Sequence, residues 1–334
     1  VFDGIEFVEF AVDTETRTEL AGFISRMGFH HAGRHRSKDV DLYRQGRTNL
    51  VLNAETDSAA GWHFQLHGPS VCAVALRVDN TANALARARA LYCQEWQEPA
   101  GAGERRIPGV HAPDGTLVLL VEPDSTGRRI YDDDFETLPT PPDTAPLTGI
   151  DHIAQALPTG RMDGFVLFWR AVFGFEPQPV FEIPDPYGLI RSRAMISRDR
   201  TIRLPLNISE SRETATGRFV SAYSGAGVQH IAFATNAITA IRDPSLILPI
   251  PENYYEDLAA RLALDDETLE TLRAHNLLYD ADEHGTFAHA FTETFADRFF
   301  FELVQRTGYL GFGAVNATVR LAVQAQRRNN PARK

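Results

Sequence analysis

The order of apolar and polar positions along the chain is used twice. Gly4-Ile5-Glu6-Phe7-Val8-Glu9-Phe10-Ala11-Val12 matches Gly149-Ile150-Asp151-His152-Ile153-Ala154-Gln155-Ala156-Leu157, and both read as opening strands. An amphipathic run follows each and ends at Met27-Gly28-Phe29 or Phe173-Gly174-Phe175. Glycine just past a helical run marks its C-cap, because it takes left-handed backbone angles without a Cβ penalty. A strand pair then ends at Asn53 in one half and Asn207 in the other. Val71 to Leu76 lines up with Val228 to Phe233, and Leu117 to Val121 with Phe300 to Val304. Helices are expected after Asp79 and after Asn236. Strand, helix, several strands, helix, strands is the order of an α+β domain, a curved sheet covered on one face by helices.

The second copy is longer between its last two matched strands. Leu258, Leu262, Leu269 and Leu272 recur at helical spacing there, and Asp265 reads as the N-cap of a second short helix. Gly313 to Gln326 predicts a terminal helix carrying Val315, Val319, Leu321 and Val323. Between the copies, Pro123, Pro139, Pro141, Pro142 and Pro146 surround the acidic run Asp132-Asp133-Asp134, a composition that reads as a linker. The expected division is a first domain over 1–123, a linker over 124–148, a second domain over 149–326 and a frayed polar tail over 327–334.

Composition narrows the function classes. The chain has 334 residues, 33 Lys plus Arg against 44 Asp plus Glu, and a net charge of −11. An acidic chain without a basic block makes neither nucleic acid nor an anionic membrane an expected partner. No apolar run approaches the roughly 18 residues of a membrane span. Two cysteines, Cys72 and Cys93, are too few for a disulfide scaffold, and a reducing, cytoplasmic setting is expected. No signal peptide is read at the start, and Val1 is read as the edge of a fragment or a processed product.

The repeat itself isolates candidate chemistry. At three matched positions the first copy carries Phe7, Ala73 and Leu119, and the second carries His152, His230 and Glu302. A buried His or Glu is costly unless paired or bound to metal. Three such replacements on three strands point to one site. Two imidazoles and a carboxylate are the ligands of a facial triad, which leaves open positions on Fe(II), and zinc is compatible with the same set. Softness and geometry alone do not choose between them.

Around these residues the sequence resembles 4-hydroxyphenylpyruvate dioxygenase. The likeness lies in Gly227-Val228-Gln229-His230-Ile231-Ala232, Phe301-Glu302-Leu303-Val304-Gln305-Arg306 and Gly311-Phe312-Gly313-Ala314-Val315-Asn316. It extends to Tyr254-Tyr255-Glu256-Asp257-Leu258 and Asp282-Glu283-His284-Gly285, is good from about Thr148 to Val319, and is looser over the first half. The resemblance implies tandem βαβββ repeats of the vicinal oxygen chelate (glyoxalase/dioxygenase) fold with a C-terminal gating helix. It implies His152, His230 and Glu302 as ligands of Fe(II), with Mg, Co, Ni or Zn as other divalent occupants. Ser192, Asn207, Gln229, His289, Phe291, Phe300, Phe312 and Asn316 match positions lining the substrate pocket. The implied substrates are O2 and a small organic acid, either a 2-oxo acid or an aromatic acid. No catalytic residue is assigned beyond the ligands. Regular strand alternation would point Gln229 away from His230. The chain departs from the family at Ala215 and His289, where the family carries pocket glutamines, and at Ala317, where it carries phenylalanine.

The first half and the gate are most similar to the C-terminal dioxygenase-like part of bacterial two-domain 3-dehydroshikimate dehydratases. That resemblance implies a fused N-terminal barrel, absent from these 334 residues, which converts 3-dehydroshikimate to protocatechuate. A homo-oligomer is expected by analogy. Alternative readings are a catalytically silent structural or oligomerisation module with a retained metal site, and a ring-cleaving catechol dioxygenase of the same superfamily.

Overall fold

The computed structural model describes residues 2–97, 100–101, 103–123, 128–139, 147–240 and 242–329. In the first half the order is β1 (Phe2–Ala11), α1 (Thr14–Met27), β2 (His30–His35), β3 (Val40–Gln45), β4 (Thr48–Asn53), α2 (Ala59–His67), β5 (Ser70–Val78), α3 (Thr81–Ala90), β6 (Glu95–Gln97), β7 (Pro108–His111), β8 (Leu117–Val121), α4 (Ile130–Asp134) and β9 (Phe135–Thr137). In the second half it is β10 (Leu147–Leu157), α5 (Met162–Phe173), β11 (Glu176–Pro177), β12 (Phe181–Asp185), β13 (Gly188–Ile196), β14 (Arg203–Ser209), α6 (Ala215–Tyr223), β15 (Gly227–Thr235), α7 (Glu252–Arg261), α8 (Asp266–Ala274), β16 (Leu278–Asp282), β17 (Gly285–Phe291), β18 (Phe300–Thr307) and α9 (Ala314–Asn329).

The first sheet runs β6-β7-β8-β5-β1-β4-β3-β2-β9 and the second β16-β17-β18-β15-β10-β14-β13-β11, with β12 pairing β13. The central strands are therefore ordered alike in both sheets, as the duplicated pattern predicts. Register agrees residue by residue. Phe7 pairs Ala75 and Ala75 pairs Leu119 in the first sheet, while His152 pairs Ala232 and Ala232 pairs Glu302 in the second. Both α1 and α5 end on glycine in the left-handed region, Gly28 at φ 109° and Gly174 at φ 71°. Asp265 caps α8 by accepting from the Thr268 amide at 2.7 Å.

The two sheets share one apolar core. Phe10 packs on Phe299 and Phe301, Phe23 on Phe295 and Phe301, and Phe29 on Phe233. The opposite face of the first sheet, carrying Phe7, Ala73, Ala75 and Leu119, forms a separate cluster with Tyr131 and Phe135. The corresponding face of the second sheet carries His152, His230 and Glu302, and α9 closes over it against β12 and β16. In each copy the segment after its last matched strand caps this face: α4 and β9 in the first, α9 in the second.

That arrangement corrects the expected linker. Within 124–148, residues 130–137 form α4 and β9, and β9 extends the first sheet by pairing Phe135 with His35. Proline and acidic content dominated the composition, but Ile130, Tyr131 and Phe135 are buried and hold the segment down. Pro141, Pro142 and Pro146 lie outside the described residues, as do 330–334 of the expected tail. Arg327 to Asn329 continue α9. The expected helix after Asn236 is a single 3₁₀ turn, Ile238–Ala240, followed by another at Pro244–Leu246.

A histidine latch joins the halves. The Tyr223 hydroxyl on α6 donates to His63 Nε2 on α2 at 2.9 Å, and His67 Nδ1 donates to the Tyr223 carbonyl at 2.7 Å. Burial, helped by His67, pulls the His63 pKa from 6.5 down to about 3. A depressed folded pKa means its stabilising contribution is complete above pH 6.5 and is lost as pH falls towards 3. Denaturant titrations should show the native protein losing about 3 kcal/mol more than His63→Gln between pH 7 and pH 4. Parallel profiles would exclude the latch as an acid-sensitive element.

Candidate metal centre

The sequence-predicted triad converges. His152 on β10, His230 on β15 and Glu302 on β18 are 3%, 8% and 2% exposed. Their ligand atoms lie within 4.8 Å of one another. The two Nε2 atoms are 3.3 Å apart, and Glu302 Oε2 lies 3.1 Å from His152 Nε2 and 3.5 Å from His230 Nε2. Metal bonds of about 2.1 Å place neighbouring donors about 3.0–3.4 Å apart in octahedral or tetrahedral coordination. The three side chains therefore fit a divalent cation that all three would hold, leaving positions open for other ligands.

Two of the three donors, His152 and Glu302, are held from behind by hydrogen bonds, the arrangement that orients metal ligands, while His230 is held by its stacking on Phe300. His152 Nδ1 donates to Asp151 Oδ1 at 2.8 Å. Asp151 in turn accepts from Arg306 Nε and Nη2, both at 2.8 Å, and Arg203 lies 3.9 Å away. This bidentate fork and the imidazole contact outweigh burial and keep the Asp151 carboxyl well below its usual range. Glu302 Oε1 accepts from His289 Nδ1 at 2.8 Å, which leaves Oε2 for a metal. His289 Nε2 accepts from Asn316 Nδ2 at 3.1 Å, and Asn316 Oδ1 accepts from the Tyr254 hydroxyl at 3.1 Å. One chain of hydrogen bonds thus ties a ligand to α9 and to the insert helix α7.

Burial opposes charge on both ligand histidines, with different outcomes. For His152 burial lowers the pKa, but Glu302 and Asp151 together raise it to about 9. For His230 burial prevails over Glu302 and takes it to about 4. On Glu302 burial favours the acid form, but His152, His230 and His289 hold its pKa well below normal.

The substrate-lining expectations divide. Phe300 stacks on His230 with centroids 4.8 Å apart, Phe312 meets the His152 ring edge-on at 5.7 Å, and Phe291 packs on Phe300 at 6.0 Å. Ser192 pairs Asn207 across β13 and β14, and Asn207 lies opposite Ala156 on β10. Gln229 is a correction to strand alternation. A bulge between Val228 and His230 breaks the register with β10, and Gln229 lines a groove with Phe300. The polar atoms of His289 and Asn316 are engaged by protein groups, so both residues brace the site.

Sequence reasoning missed Asp151 and Arg306. Asp151 neighbours His152 in a strand and would face away from it, but a register shift between Ile150 and His152 brings its carboxylate round. The bracing predicts a measurable cost. His289→Ala leaves Glu302 Oε1 buried without its donor and takes from Asn316 Nδ2 one of its two acceptors, the Tyr279 carbonyl remaining, so metal affinity should fall 10- to 100-fold and stability by about 2 kcal/mol. His289→Gln, which can donate and accept, should recover most of both. Chelator competition and denaturant titration measure the two effects.

Comparison with known proteins identifies the group. Residues 1–136 match the family profile "Hydroxyphenylpyruvate dioxygenase, HPPD, N-terminal", and residues 149–243 match "Glyoxalase/Bleomycin resistance protein/Dioxygenase superfamily". A 4-hydroxyphenylpyruvate dioxygenase of Pseudomonas aeruginosa is 36% identical over 326 residues, covering 94% of this chain and 91% of that protein. This chain belongs to the 4-hydroxyphenylpyruvate dioxygenase family. Within that family its fold is the mixed α+β vicinal oxygen chelate architecture. A "3-dehydroshikimate dehydratase" of Pseudomonas putida is 47% identical over 340 residues, covering 100% of this chain and 54% of that protein. A solved "xylose isomerase-like TIM barrel/4-hydroxyphenylpyruvate dioxygenase fusion protein" superposes with a TM-score of 0.86 at 46% identity, over 98% of this chain and 53% of that one. The chain therefore spans about half the length of these relatives. A mutant 4-hydroxymandelate synthase from Streptomyces coelicolor, 24% identical with a TM-score of 0.84, shares the fold. Among the described residues, no helix is long and apolar enough to cross a membrane.

Proposed function

We propose that this chain is a dioxygenase-type domain that binds Fe(II) through His152, His230 and Glu302 and takes a small 2-oxo acid or aromatic acid together with O2. The observation that carries this reading is the triangle of two Nε2 atoms and Oε2 with edges of 3.1–3.5 Å, with His152 and Glu302 anchored from outside. When bound, Fe(II) supplies the Lewis acidity and redox capacity for oxidative decarboxylation of a 2-oxo acid. The protein's own part is orientation and exclusion of water. Asp151 fixes the His152 ring, His289 fixes Glu302, and Phe300 and Phe312 pack against the two ligand imidazoles. Helix α9 covers the centre and is pinned through Asn316.

The domain is further read as part of a longer polypeptide in which a barrel acts as a 3-dehydroshikimate dehydratase, in a cytoplasmic setting. Identity of 47% to the Pseudomonas putida dehydratase, over 54% of its length, supports this. Cys72 and Cys93, which are not joined in a disulfide, suit the compartment. A second reading, a silent module with a retained metal site, is favoured by one observation: the polar atoms of His289 and Asn316 are occupied by the protein. Oxygen consumption by Fe(II)-loaded chain, offered a panel of aryl 2-oxo acids, separates the two. Turnover that disappears in His230→Ala supports the dioxygenase. Stoichiometric metal without oxygen uptake for any acid supports the silent module.

A further inference from the structure

The terminal helix buries a cation beside the metal centre. Arg320 on α9 is 8% exposed, and its Cζ lies 5.1 Å from the ring centroids of both Phe291 and Phe300. Phe300 stacks in turn on His230. Guanidinium, two aromatic rings and a ligand imidazole thus form one continuous wall. Arginine carries five N–H donors. Arg320 Nη1 donates to Gln324 Oε1 at 2.9 Å, and its buried Nε has no partner among the described residues.

No described carboxylate pairs with it. Glu302 and Asp185 are the anions whose field reaches Arg320, but neither is a contact. Glu302 is turned to the triad and His289. Asp185 accepts the backbone amides of Tyr187 and Ala215 at 2.9 and 3.0 Å. Burial draws the Arg320 pKa down to about 10, so the group stays charged at neutral pH. A buried charge without a counter-ion costs several kcal/mol. That cost is removed when an incoming ligand brings the anion.

The approach to this wall is also cationic. A groove of about 520 Å³ reaches Gln229, Phe300 and Gln324; its lining carries four arginines against Glu293 and Asp297, with Arg327 paired to Glu293 and Arg328 to Glu213. In a chain of net charge −11 this is a local reversal of sign, which concentrates anions at the mouth.

We propose that Arg320 is a specificity-determining residue that receives a second carboxylate, at the end of the substrate remote from the metal. The site then prefers a dianionic acid, such as a carboxylated aryl 2-oxo acid, to one with a neutral tail. This deepens the dioxygenase reading and rests on it for the chelating end of the substrate. The carboxylate at Arg320 stands on the geometry of α9.

Calorimetric titration of the anaerobic Fe(II)-loaded chain tests it with two probe pairs: phenylpyruvate against 4-carboxyphenylpyruvate, and benzoate against terephthalate. The native chain should bind the carboxylated aryl 2-oxo acid on the order of 100-fold more tightly than phenylpyruvate. Arg320→Met should abolish that preference while leaving metal stoichiometry unchanged, and Arg320→Lys should retain part of it. Thermal unfolding of each variant monitors the fold. If neither 2-oxo acid binds but terephthalate outcompetes benzoate in an Arg320-dependent way, the carboxylate subsite stands and the 2-oxo acid reading falls. A carboxylate preference that survives in Arg320→Met, or no preference in either pair, overturns the proposal.

Discussion

Replacing Glu302 with alanine should abolish metal binding. The native chain should hold about one divalent ion per molecule, and Glu302→Ala close to none under the same loading, with affinity reduced at least ~1,000-fold. The argument is geometric and electrostatic. Oε2 is the one anionic vertex of the triangle, 3.1 Å from His152 Nε2 and 3.5 Å from His230 Nε2. Without it two imidazoles face a dication in a buried cavity with no first-sphere negative charge. Elemental analysis after equilibration with Fe(II) or Co(II) reads the effect directly. Full occupancy of Glu302→Ala would exclude these three residues as the ligand set.

Metal uptake should also depend on pH in a defined direction. The pKa of His152 is held at about 9 although burial lowers it, because Glu302 and Asp151 favour the charged ring. Below that pH the metal must displace a proton, so affinity should rise about tenfold per pH unit towards 9 and then level. The same raised pKa makes an opposite contribution to the stability of the metal-free protein. It is complete below the ordinary value of 6.5 and is lost as pH rises through about 9. Metal-free and metal-loaded stabilities should therefore diverge with rising pH, which paired denaturant titrations would show.

The triad was legible because the fold is duplicated. Phe7, Ala75 and Leu119 occupy a row across three strands, and His152, Ala232 and Glu302 occupy the same row in the second sheet. A polar group standing where its copy is apolar is visible in a single sequence. The resemblance named neighbours such as His289, Phe300 and Phe312, but other features around the triad were not visible, for identifiable reasons. Asp151 and Gln229 depend on bulges, and a one-residue irregularity reverses which face a side chain meets. Helices α2 and α6 were hidden because neither carries a long apolar stripe; Trp62 and Leu66 on α2 are 66% and 73% exposed. Residues 130–137 were hidden by composition, since Tyr131 and Phe135 are buried inside an acidic, proline-flanked run. Arg320 sits in an amphipathic helix, where an arginine is ordinarily a solvent-facing residue, and packing against two phenylalanines reveals it.

Breaking the support behind His152 should be nearly as damaging as losing a ligand. Asp151 is 6% exposed and joins the imidazole to Arg306 and, more distantly, to Arg203. Asp151→Ala removes the anion and leaves the Arg306 guanidinium, already packed over Phe287 at 4.6 Å, without its carboxylate. Truncating one side of a buried ion pair costs about 3–5 kcal/mol. It also frees the His152 ring to rotate, which should lower metal affinity a further 10- to 100-fold. Asp151→Asn separates the two roles. Its amide oxygen can still accept from His152 Nδ1 and so fix the tautomer, but it cannot neutralise Arg306. Asn should therefore retain most of the metal affinity while losing most of the stability, and Ala should lose both. If Asn and Ala reduced metal affinity equally, the carboxylate's charge rather than its orientation of the ring would be what the metal site requires.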